Sequence, residues 1–507
     1  MLDQLYPIGF VVSLVGLILW FYFQKKKGLS RLMSSIFLLG FLVYLVSLAF
    51  SSGETGYKLL ILCRDLVIIT VVSQFFNFFK ANTIAFLIML VILAAVIKFS
   101  FFNVLQQTFP QHAQQTEISD EWELLIEIEN GHTFNEIQGL VDKYGLTFQR
   151  AFSPEKPDQT DLDDYFLIGI PDQFESKITS IEKALLKNKA VEWVEENEVI
   201  QVDDDEVDPI QSTSSGFYLN DPGLKEQWGF TPLDVDRLHR FLANNNIQPR
   251  KKAIIAILDT GVDSKHEDIA DQYVSIQAKS DNDPRGHGTH CAGIAAAVSN
   301  NQLGIASFAP NRDFVQVTSV KVLNANGSGT QKSIIDGIIY AADRGVDVIS
   351  MSLGGRSNRQ KQKAYAEALK YANQAGAIVV VAAGNNGADA KDIAPANVPG
   401  AITVSATNQQ NDKAFFSNHV KNVQMGIAAP GEGIYSTIPN NKYASFNGTS
   451  MACPHVSGLV GIMKSIYPEL TTKEAFDILD RTGVATKNVA MTGKLIQPYQ
   501  AVLELLD

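Results

Sequence analysis

Three widely separated segments of the sequence each carry one side chain of a set that can activate a hydroxyl group. Asp259 lies in the run ILDTGVD, His287 in GHGTHCAG and Ser450 in NGTSMACPH. A serine hydroxyl is a weak nucleophile until a neighbouring base removes its proton, and an imidazole is a suitable base near neutral pH. A carboxylate behind the imidazole fixes its tautomer and stabilises the imidazolium that forms. The three residues therefore predict nucleophilic catalysis by Ser450, with His287 as the base and Asp259 as the group that orients it.

The predicted elements place each of these side chains at the end of a strand or the start of a helix. Asp259 follows the apolar run Ala253–Leu258, which predicts a buried parallel strand whose carboxyl end borders the ligand-binding crevice of an α/β sheet. His287 and Ser450 each precede a stretch of small and apolar residues that predicts a helix, with a nearby glycine that allows close backbone approach. The expected fold class is a doubly wound α/β domain with a mostly parallel sheet.

Two further parts of the sequence could complete a site for acyl chemistry. The apolar run Ala377–Ala383 predicts a strand that ends at Gly384 and Asn385. The Asn385 amide and the backbone N–H of Ser450 could donate hydrogen bonds to the oxyanion of a tetrahedral intermediate. Two glycine-rich runs leave backbone groups free to hold an extended peptide between them. They comprise Gly327, Ser328 and Gly329 on one edge and Ser352, Leu353, Gly354 and Gly355 on the other.

Around these motifs, from roughly residue 220 to residue 500, the chain resembles the subtilases, the subtilisin-like serine endopeptidases. The order Asp, His, Ser along the chain is the one found in that family. The resemblance implies a subtilisin-like fold and hydrolysis of peptide bonds in extended polypeptides. It also gives Asn385 the oxyanion role.

The same resemblance implies a structural calcium ion. Asp268, nine residues past Asp259, occupies the family's usual cation-binding position, and Asn301 lies in a loop that resembles the one supplying other ligands. Asp221 matches an N-terminal ligand position of some relatives, and hard oxygen ligands of this kind suit calcium. Because the loop is one residue longer than the common pattern, Asn300 remains an alternative to Asn301. All of these side chains could instead cap turns.

His287 has a second possible role, because together with His290 and Cys291 it could bind a metal ion. No fourth ligand stands at a suitable spacing, which favours the catalytic interpretation. Cys453 is an alternative nucleophile three positions past Ser450, although Cys291 and Cys453 are both expected to pack as small hydrophobic side chains. The other histidines are expected to be structural, at His266, His290 and His455, or ordinary surface residues, at His239 and His419.

The first 107 residues differ from the rest of the 507-residue chain in hydrophobicity and charge. They contain long apolar runs, each close to the ~20 residues that a membrane-spanning helix needs, at about Leu5–Phe23, Leu32–Phe50, Leu59–Phe79 and Thr83–Leu105. Eight basic and three acidic residues give this region a charge of +5. Because the net charge of the whole chain is −12, the remainder carries −17. Because four basic residues lie between the first two runs, that loop is expected in the cytoplasm and the chain after residue 107 outside it. The acidic outer part argues against nucleic acid as a partner.

Residues 120–202 predict a small α+β module. Strand-like alternation and helical spacing give the element order β-α-β-β-α-β, which is that of a ferredoxin-like unit. Directly before a subtilase-like domain, such a unit resembles the family's inhibitory propeptide and folding chaperone, whose C-terminal tail passes through the active-site cleft. Here the tail continues into an acidic and serine-rich segment, residues 203–219, which could be a solvated linker or a cation-binding tail.

The sequence therefore predicts four parts. They are a four-helix transmembrane region at 1–107, a propeptide-like domain at 120–202, a linker at 203–219 and a subtilisin-like peptidase domain at 220–507.

The leading functional hypothesis is a serine endopeptidase anchored in the lipid bilayer of the cell membrane by several spans. Its catalytic domain would lie outside the cytoplasm and cut polypeptide substrates, with the propeptide-like domain as an intramolecular inhibitor of a zymogen that self-cleavage could release. An alternative is a membrane sensor or transport module whose outer head is regulatory or scaffolding, and a third is acyl transfer to an amine. The joint presence of Asp259, His287, Ser450 and Asn385 favours the enzyme.

Overall fold

The computed structural model describes residues 2–49, 122–202, 205–211, 217–357 and 362–506, together with Leu62, Asp65, Ile69, Val72 and Phe76. Residues 1–116 and 117–507 form two separate compact units.

The described residues of the N-terminal unit include the long apolar helices α1 (Leu2–Tyr22) and α2 (Lys27–Ala49). Within the described part of the chain, the stretch Lys27–Ser47 of α2 is long and apolar enough to cross a membrane, and α1 carries a shorter apolar stretch. The buried Tyr44 hydroxyl donates to Asp65 Oδ2 over 3.2 Å. The predicted third and fourth spans, Leu59–Phe79 and Thr83–Leu105, lie outside the described residues apart from the five isolated positions.

A small four-stranded module begins the second unit. Its elements are β1 (Leu124–Ile128), α3 (Gln138–Tyr144), β2 (Thr147–Arg150), β3 (Tyr165–Gly169), α4 (Ile178–Leu185) and β4 (Val191–Glu196). The strand order is β2-β3-β1-β4, and every neighbouring pair is antiparallel. The element order β-α-β-β-α-β agrees with the prediction for residues 120–202.

Two short strands connect this module to the large domain, β5 (Val199–Gln201) and β6 (Asp205–Val207). Both pair with strands of the large domain. The described part of the predicted linker 203–219 is therefore not only a solvated spacer.

The large domain alternates strands and helices. Its strands are β7 (Ala253–Asp259), β8 (Val315–Lys321), β9 (Ser328–Thr330), β10 (Val348–Met351), β11 (Gly355–Arg356), β12 (Ile378–Ala382), β13 (Ile393–Ala394), β14 (Ala401–Thr407), β15 (Gly426–Pro430), β16 (Ile434–Ile438) and β17 (Lys442–Asn447). Its helices are α5 (Val235–Asn244), α6 (His287–Ala296), α7 (Gln331–Asp343), α8 (Lys363–Gln374), α9 (Thr449–Ile466), α10 (Thr472–Thr482), α11 (Val489–Thr492) and α12 (Pro498–Leu506).

The central sheet has six parallel strands in the order β15-β14-β12-β10-β7-β8. Successive residues of β7 alternate between two apolar cores. Ile255 and Ile257 belong to the core that includes α9, whereas Ala256 and Leu258 belong to the core that includes α7. Because both faces of the sheet are covered, its four inner strands are predominantly apolar, and the predicted doubly wound α/β fold is confirmed for this domain.

One histidine was assigned wrongly from the sequence. His239, expected at the surface, is buried in α5 with its Nε2 2.9 Å from the carbonyl oxygen of Ser307. Burial lowers the pKa of His239 to about 4. The misassignment arose because the charged residues around it point outward, while Leu238, His239 and Leu242 form the buried face of the helix.

Candidate active site

Asp259 and His287 meet at the carboxyl edge of the parallel sheet. Asp259 is the last residue of β7, and His287 is the first residue of α6. His287 Nδ1 lies 2.7 Å from Asp259 Oδ1, and both side chains are fully buried. Burial raises the pKa of Asp259, while the neighbouring imidazole acts in the opposite direction. A Nδ1–H donated to the carboxylate makes Nε2 the basic nitrogen of the ring.

Close backbone packing at this junction requires a glycine. A Cβ atom on Gly288 would lie 2.1 Å from the carbonyl oxygen of Gly261 and 3.1 Å from Asp259 Cβ. Any side chain at this position would therefore push α6 away from the end of β7. The glycine after the histidine in GHGTHCAG has a direct steric cause.

Asp283 holds the first turn of α6 in place, although the sequence analysis did not identify it. Its carboxylate accepts hydrogen bonds from the backbone N–H groups of Gly286 and Thr289, with a donor–acceptor distance of 2.8 Å in both. It also accepts from the hydroxyl of Thr260, over 2.8 Å. Since Thr260 follows Asp259, this one carboxylate ties the helix that carries the imidazole to the strand that carries its partner.

Ser450 is the second residue of α9 and is almost fully buried. Its Oγ donates to the carbonyl oxygen of Ser352 over 3.2 Å, and the Ser352 hydroxyl donates to the carbonyl oxygen of Ser450 over 2.7 Å. Cys291, one turn after His287 in α6, contacts the same Ser450 carbonyl oxygen through its Sγ at 3.5 Å. The helix turns that carry the hydroxyl and the imidazole therefore lie side by side.

Asn385 stands beside this hydroxyl. Its Oδ1 accepts from the backbone N–H and the hydroxyl of Thr449, over 2.8 and 2.9 Å. With Oδ1 engaged, the amide Nδ2 faces Gly448. A Cβ atom on Gly448 would lie 3.4 Å from Asn385 Nδ2 and 3.4 Å from the Ser450 nitrogen. The two N–H donors expected for an oxyanion hole thus border the same small space.

An open cavity of about 280 Å³ lies next to Ser450 and Asn385. All four residues of the predicted edge, Ser352, Leu353, Gly354 and Gly355, line the cavity, and Asn386, Phe415 and Phe416 line it as well. The two phenylalanines were not predicted, because their loop has no periodic pattern. Phe415 is 80% exposed, so an aromatic ring stands at the rim of the cavity.

The other predicted edge, Gly327–Gly329, already holds an extended strand of the same chain. In the antiparallel pair of β5 and β9, Ile200 stands opposite Gly329, and the Val202 N–H donates to the Gly327 carbonyl oxygen over 2.9 Å. A Cβ atom on Gly355 would lie 2.6 Å from Ile200 Cδ1. The two glycine-rich edges therefore flank β5, as expected for edges that hold an extended peptide.

The predicted calcium ligands also converge. The Asp221 carboxylate accepts from the backbone N–H groups of Asn300 and Asn301, and the Asp268 carboxylate accepts from the Asn301 amide and the Ile305 N–H. Burial raises the pKa of Asp268 to about 7, and the nearby Asp221 charge adds to the shift. The two buried carboxylates repel one another, and both accept hydrogen bonds from Asn301, Asp221 from its backbone N–H and Asp268 from its side-chain amide. Carboxylate oxygens of this kind are ligands that fit calcium. Asn300 and Asn301 both take part, the first through its backbone and the second also through its side chain.

The geometry does not bring together the metal-binding set of His287, His290 and Cys291, and it disfavours Cys453 as a nucleophile. His290 stacks on Phe446 and its Nε2 lies 3.1 Å from a backbone carbonyl oxygen, so it does not join His287 and Cys291. Among the described residues, possible ligand atoms of Asp259, His287 and Cys291 converge within 4.8 Å. Cys453 is buried, and burial raises the pKa of its thiol to about 11, which makes it a poor nucleophile.

Comparison with known proteins gives the same assignment. The subtilase family pattern matches residues 250–495. Thermitase from Thermoactinomyces vulgaris is 47% identical over 218 residues, which cover 42% of this chain and 75% of thermitase. Subtilisin DY from Bacillus licheniformis is 39% identical over 235 residues, covering 45% of this chain and 82% of its own.

A solved structure described as proteases from Pseudoalteromonas arctica PAMC 21717 matches with a TM-score of 0.50 and 27% identity, covering 57% of this chain and 99% of that one. The parallel sheet, the buried imidazole–carboxylate pair and these relatives agree. This chain belongs to the subtilase family and is a serine endopeptidase.

Proposed function

We propose that the chain is a membrane-anchored endopeptidase that cuts extended polypeptides by the joint action of Ser450, His287 and Asp259, and that it is made as a self-inhibited zymogen. The observation that carries the proposal is the fully buried 2.7 Å contact between His287 Nδ1 and Asp259 Oδ1. Burial of a carboxylate is unfavourable unless hydrogen bonds compensate it. Here the compensation fixes one ring nitrogen and leaves the other basic.

In this mechanism His287 Nε2 takes the proton of Ser450 as Oγ attacks the carbonyl carbon of the scissile peptide bond. The Asn385 amide and the Ser450 N–H stabilise the oxyanion that develops. The imidazolium then protonates the leaving amine, and an acyl-enzyme remains on Ser450. Water, activated by the same imidazole, releases the carboxylic acid product.

The proposed substrate site lies between Gly327–Gly329 and Ser352–Gly355. Both segments offer backbone groups to an extended chain, and Ile200 occupies the space between them as a fully buried side chain. A substrate that replaces β5 would make the same antiparallel pairing. Compact, folded chains do not present a free strand of this kind, so the expected substrates are unfolded or extended segments.

Self-inhibition is supported by the contacts of the small module. Its strand β4 contributes Glu195, which is fully buried and accepts hydrogen bonds from Gln331 Nε2 and from the backbone N–H of Lys363, over 2.9 and 3.0 Å. Strand β1 contributes Glu127, 2.9 Å from Lys363 Nζ. Beyond them Gln201 and Val202 border the cavity that contains Ser450.

Membrane anchoring is supported by the apolar stretch Lys27–Ser47 and by the basic loop before it. The proposal includes four crossings, with the unit 117–507 outside the cytoplasm. Labelling of that unit by a membrane-impermeant reagent in intact cells is the expected result, and protection until lysis would reverse the orientation.

A structural calcium ion is part of the same proposal. Asp221, Asp268 and Asn301 would hold it, and the ion would neutralise the two buried carboxylates. Burial raises the pKa of both carboxyl groups, and a bound cation would offset the cost of burying their charges.

A fluorophosphonate probe tests the catalytic assignment on the full chain in detergent. The cavity beside Ser450 leaves room for a small probe even while β5 is in place. The wild type should be labelled, Ser450→Ala should not, and Ser457→Ala, two turns along the same helix, should keep the label. An unlabelled but folded wild type would contradict the proposal.

A further inference from the structure

The chain continues beyond the active-site cavity as a second paired strand. Strand β6 pairs antiparallel with β17, with Asp205 opposite Asn447 and Val207 opposite Ser445. Asn447 lies three residues before Ser450 and borders the same cavity as Val202. Since two residues separate Val202 from Asp205, the chain is held on both sides of the catalytic serine.

The segment after β6 is held by contacts of its own. A Cβ atom on Gly433 would lie 2.3 Å from Ile210 Cδ1, so the Ile210 side chain lies directly on the Gly433 backbone. Ile210 also packs against the main apolar core, and the Gln211 amide donates to Glu226. We call residues 205–211 the downstream clamp.

Backbone pairing, the apolar Ile210 and the Gln211–Glu226 hydrogen bond hold the downstream clamp, and its own charged side chains do not. Its side chains Glu206 and Asp208 are exposed, and exposed charges contribute little to such contacts. The clamp does not depend on β5, which pairs with a different strand. Loss of the upstream strand therefore leaves these contacts intact.

Strand β17 is the docking edge that the clamp covers. The local sheet has the order β16-β17-β6, so without β6 the strand β17 would be an edge with free N–H and C=O groups. A free antiparallel edge is a template for an extended peptide. Because β17 leads directly to Ser450, this edge would receive the part of a substrate that follows the scissile bond.

We infer that the downstream clamp occupies the leaving-group half of the substrate cleft and stays there after the chain has been cut upstream of it. The enzyme then competes with its own segment for each substrate that extends beyond the scissile bond. This inference rests on the proposed function, since it concerns access to Ser450. It identifies residues 205–211 as a competitor of the substrate, separate from the small module.

The competition is intramolecular, and this determines how strongly the clamp competes with a substrate. A tethered segment acts at an effective concentration of roughly millimolar, whereas peptide substrates are present at far lower concentrations. The clamp should raise KM for substrates with residues after the scissile bond. It should leave substrates without such residues unchanged.

The test compares two substrates on the full chain in detergent. One is a peptide p-nitroanilide, which has no residue after the scissile bond, and the other is an internally quenched peptide with the same upstream residues and an extended downstream part. In an antiparallel ladder alternate N–H groups face the partner, so Glu206→Pro or Val207→Pro must remove a donor to β17. We expect one of these variants to lower KM for the quenched peptide by about tenfold, with kcat/KM for the p-nitroanilide unchanged.

Two further variants define the result. Asp208→Pro, one residue past β6, should behave as the wild type, and Ile210→Ser should lower KM for the quenched peptide without a change in the backbone. Hydrogen exchange at Ser445–Asn447 should be faster in the effective variants than in the wild type. An equal decrease of KM for both substrates, or a KM for the quenched peptide that is unchanged in all four variants, would overturn the inference.

The outcome is separable from that of the proposed function. If Ser450 takes no fluorophosphonate label, the catalytic assignment fails, while hydrogen exchange still reports on the clamp. If the chain is labelled but hydrolyses neither substrate, hydrogen exchange at Ser445–Asn447 becomes the only measurement that tests the clamp. Protection of Ser445–Asn447 that none of the variants reduces would then overturn the inference.

Discussion

Two buried carboxylates cap helix N-termini in this protein, and they differ in the origin of their hydrogen-bond donors. Asp283 accepts from the backbone N–H groups of Gly286 and Thr289, three and six residues away, at the start of α6. Glu195 accepts from the backbone N–H of Lys363, 168 residues away, at the start of α8. In both places a carboxyl group meets the free N–H groups and the positive end of a helix.

The difference in sequence separation determines how permanent each contact is. The Asp283 contact forms together with the helix it caps, so it is lost only if that part of the domain unfolds. The Glu195 contact belongs to two separate parts of the chain and is lost when the module leaves. The same interaction thus gives a fixed position for His287 in one place and, in the proposed zymogen, a removable cover in the other.

The largest expected effect comes from the imidazole itself. His287→Ala removes the base, and kcat for a peptide p-nitroanilide should fall on the order of 10⁶-fold, because a serine without its base is almost unreactive. The module contacts should be unchanged, with the same hydrogen exchange in β4. The matched control is His419→Ala, which removes a half-buried imidazole outside the site and should retain activity. Equal losses in both variants would mean that the effect is on folding.

A smaller effect is expected from the local cap. Asp283→Ala leaves several buried donors of α6 without an acceptor, which should lower the free energy of unfolding by about 3 kcal/mol. It should also lower kcat by roughly 100-fold, because a small displacement of the catalytic base is costly. Activity and urea denaturation measure the two effects.

The neighbouring Asp281 provides the control for this variant. Asp281 accepts hydrogen bonds from the hydroxyl groups of Tyr273 and Ser275, neither of which belongs to α6. Asp281→Ala should lower stability and leave kcat intact. If Asp283→Ala also changed stability alone, Asp283 would have no role in positioning His287.

The features around Asp259 and His287, which depend on residues close together in the chain, were predicted well from the sequence. The strand before Asp259, the helix starts at His287 and Ser450, and the glycine at 288 all follow from patterns a few residues long. The steric reason for that glycine, a Cβ atom 2.1 Å from a carbonyl oxygen, is of the same short range. Asp283 was missed although it lies four residues before His287, because a lone aspartate before a helix has many possible causes.

Contacts between distant parts of the chain could not be predicted in the same way. Glu195 appears in the sequence as an ordinary charged residue of an exposed strand. Of its four donors, Trp193 Nε1 is two residues away, whereas Gln331 Nε2 and the backbone N–H groups of Lys363 and Ala364 lie 136 to 169 residues further along the chain. The acidic run that contains Asp205 and Glu206 is typical of a solvated segment, yet it pairs with β17. Pairing between distant segments leaves no periodic signal in either of them.

The proposed calcium site is intermediate in sequence separation, since Asp268 and its hydrogen-bond donors are 33 and 37 residues apart. Chelation should lower Tm by roughly 5–10 °C, because an ion that binds only the folded state adds its binding free energy to stability. Asp268→Asn should abolish the response to the chelator. Asp271→Asn, which breaks a surface ion pair with Arg312, should respond as the wild type does. A Tm that is indifferent to chelation would remove calcium from the proposal.

The smallest effect concerns the pH dependence of the removable contact. Burial raises the pKa of Glu195 to about 7 from an ordinary value of 4.5, and burial raises that of Glu127 as well. In the docked state Glu195 therefore holds a proton over a pH range in which the free module has lost it. This contribution to docking is complete below the ordinary pKa and is lost as the pH rises through about 7.

In the uncleaved Ser450→Ala chain, the module should unfold or undock at a lower urea concentration at about pH 8 than at about pH 5.5. Glu195→Gln, which cannot titrate, should weaken docking and reduce this pH dependence, because its amide would face N–H donors. Glu196→Gln, the exposed neighbour in β4, should keep the wild-type pH profile. The Asp283 contact, by contrast, should not depend on pH. The protection of α6 against hydrogen exchange should therefore stay constant over the same pH range. If docking were equally strong at both pH values, the four donors around Glu195 would be holding it ionised throughout, and the cover would be removed by cleavage alone.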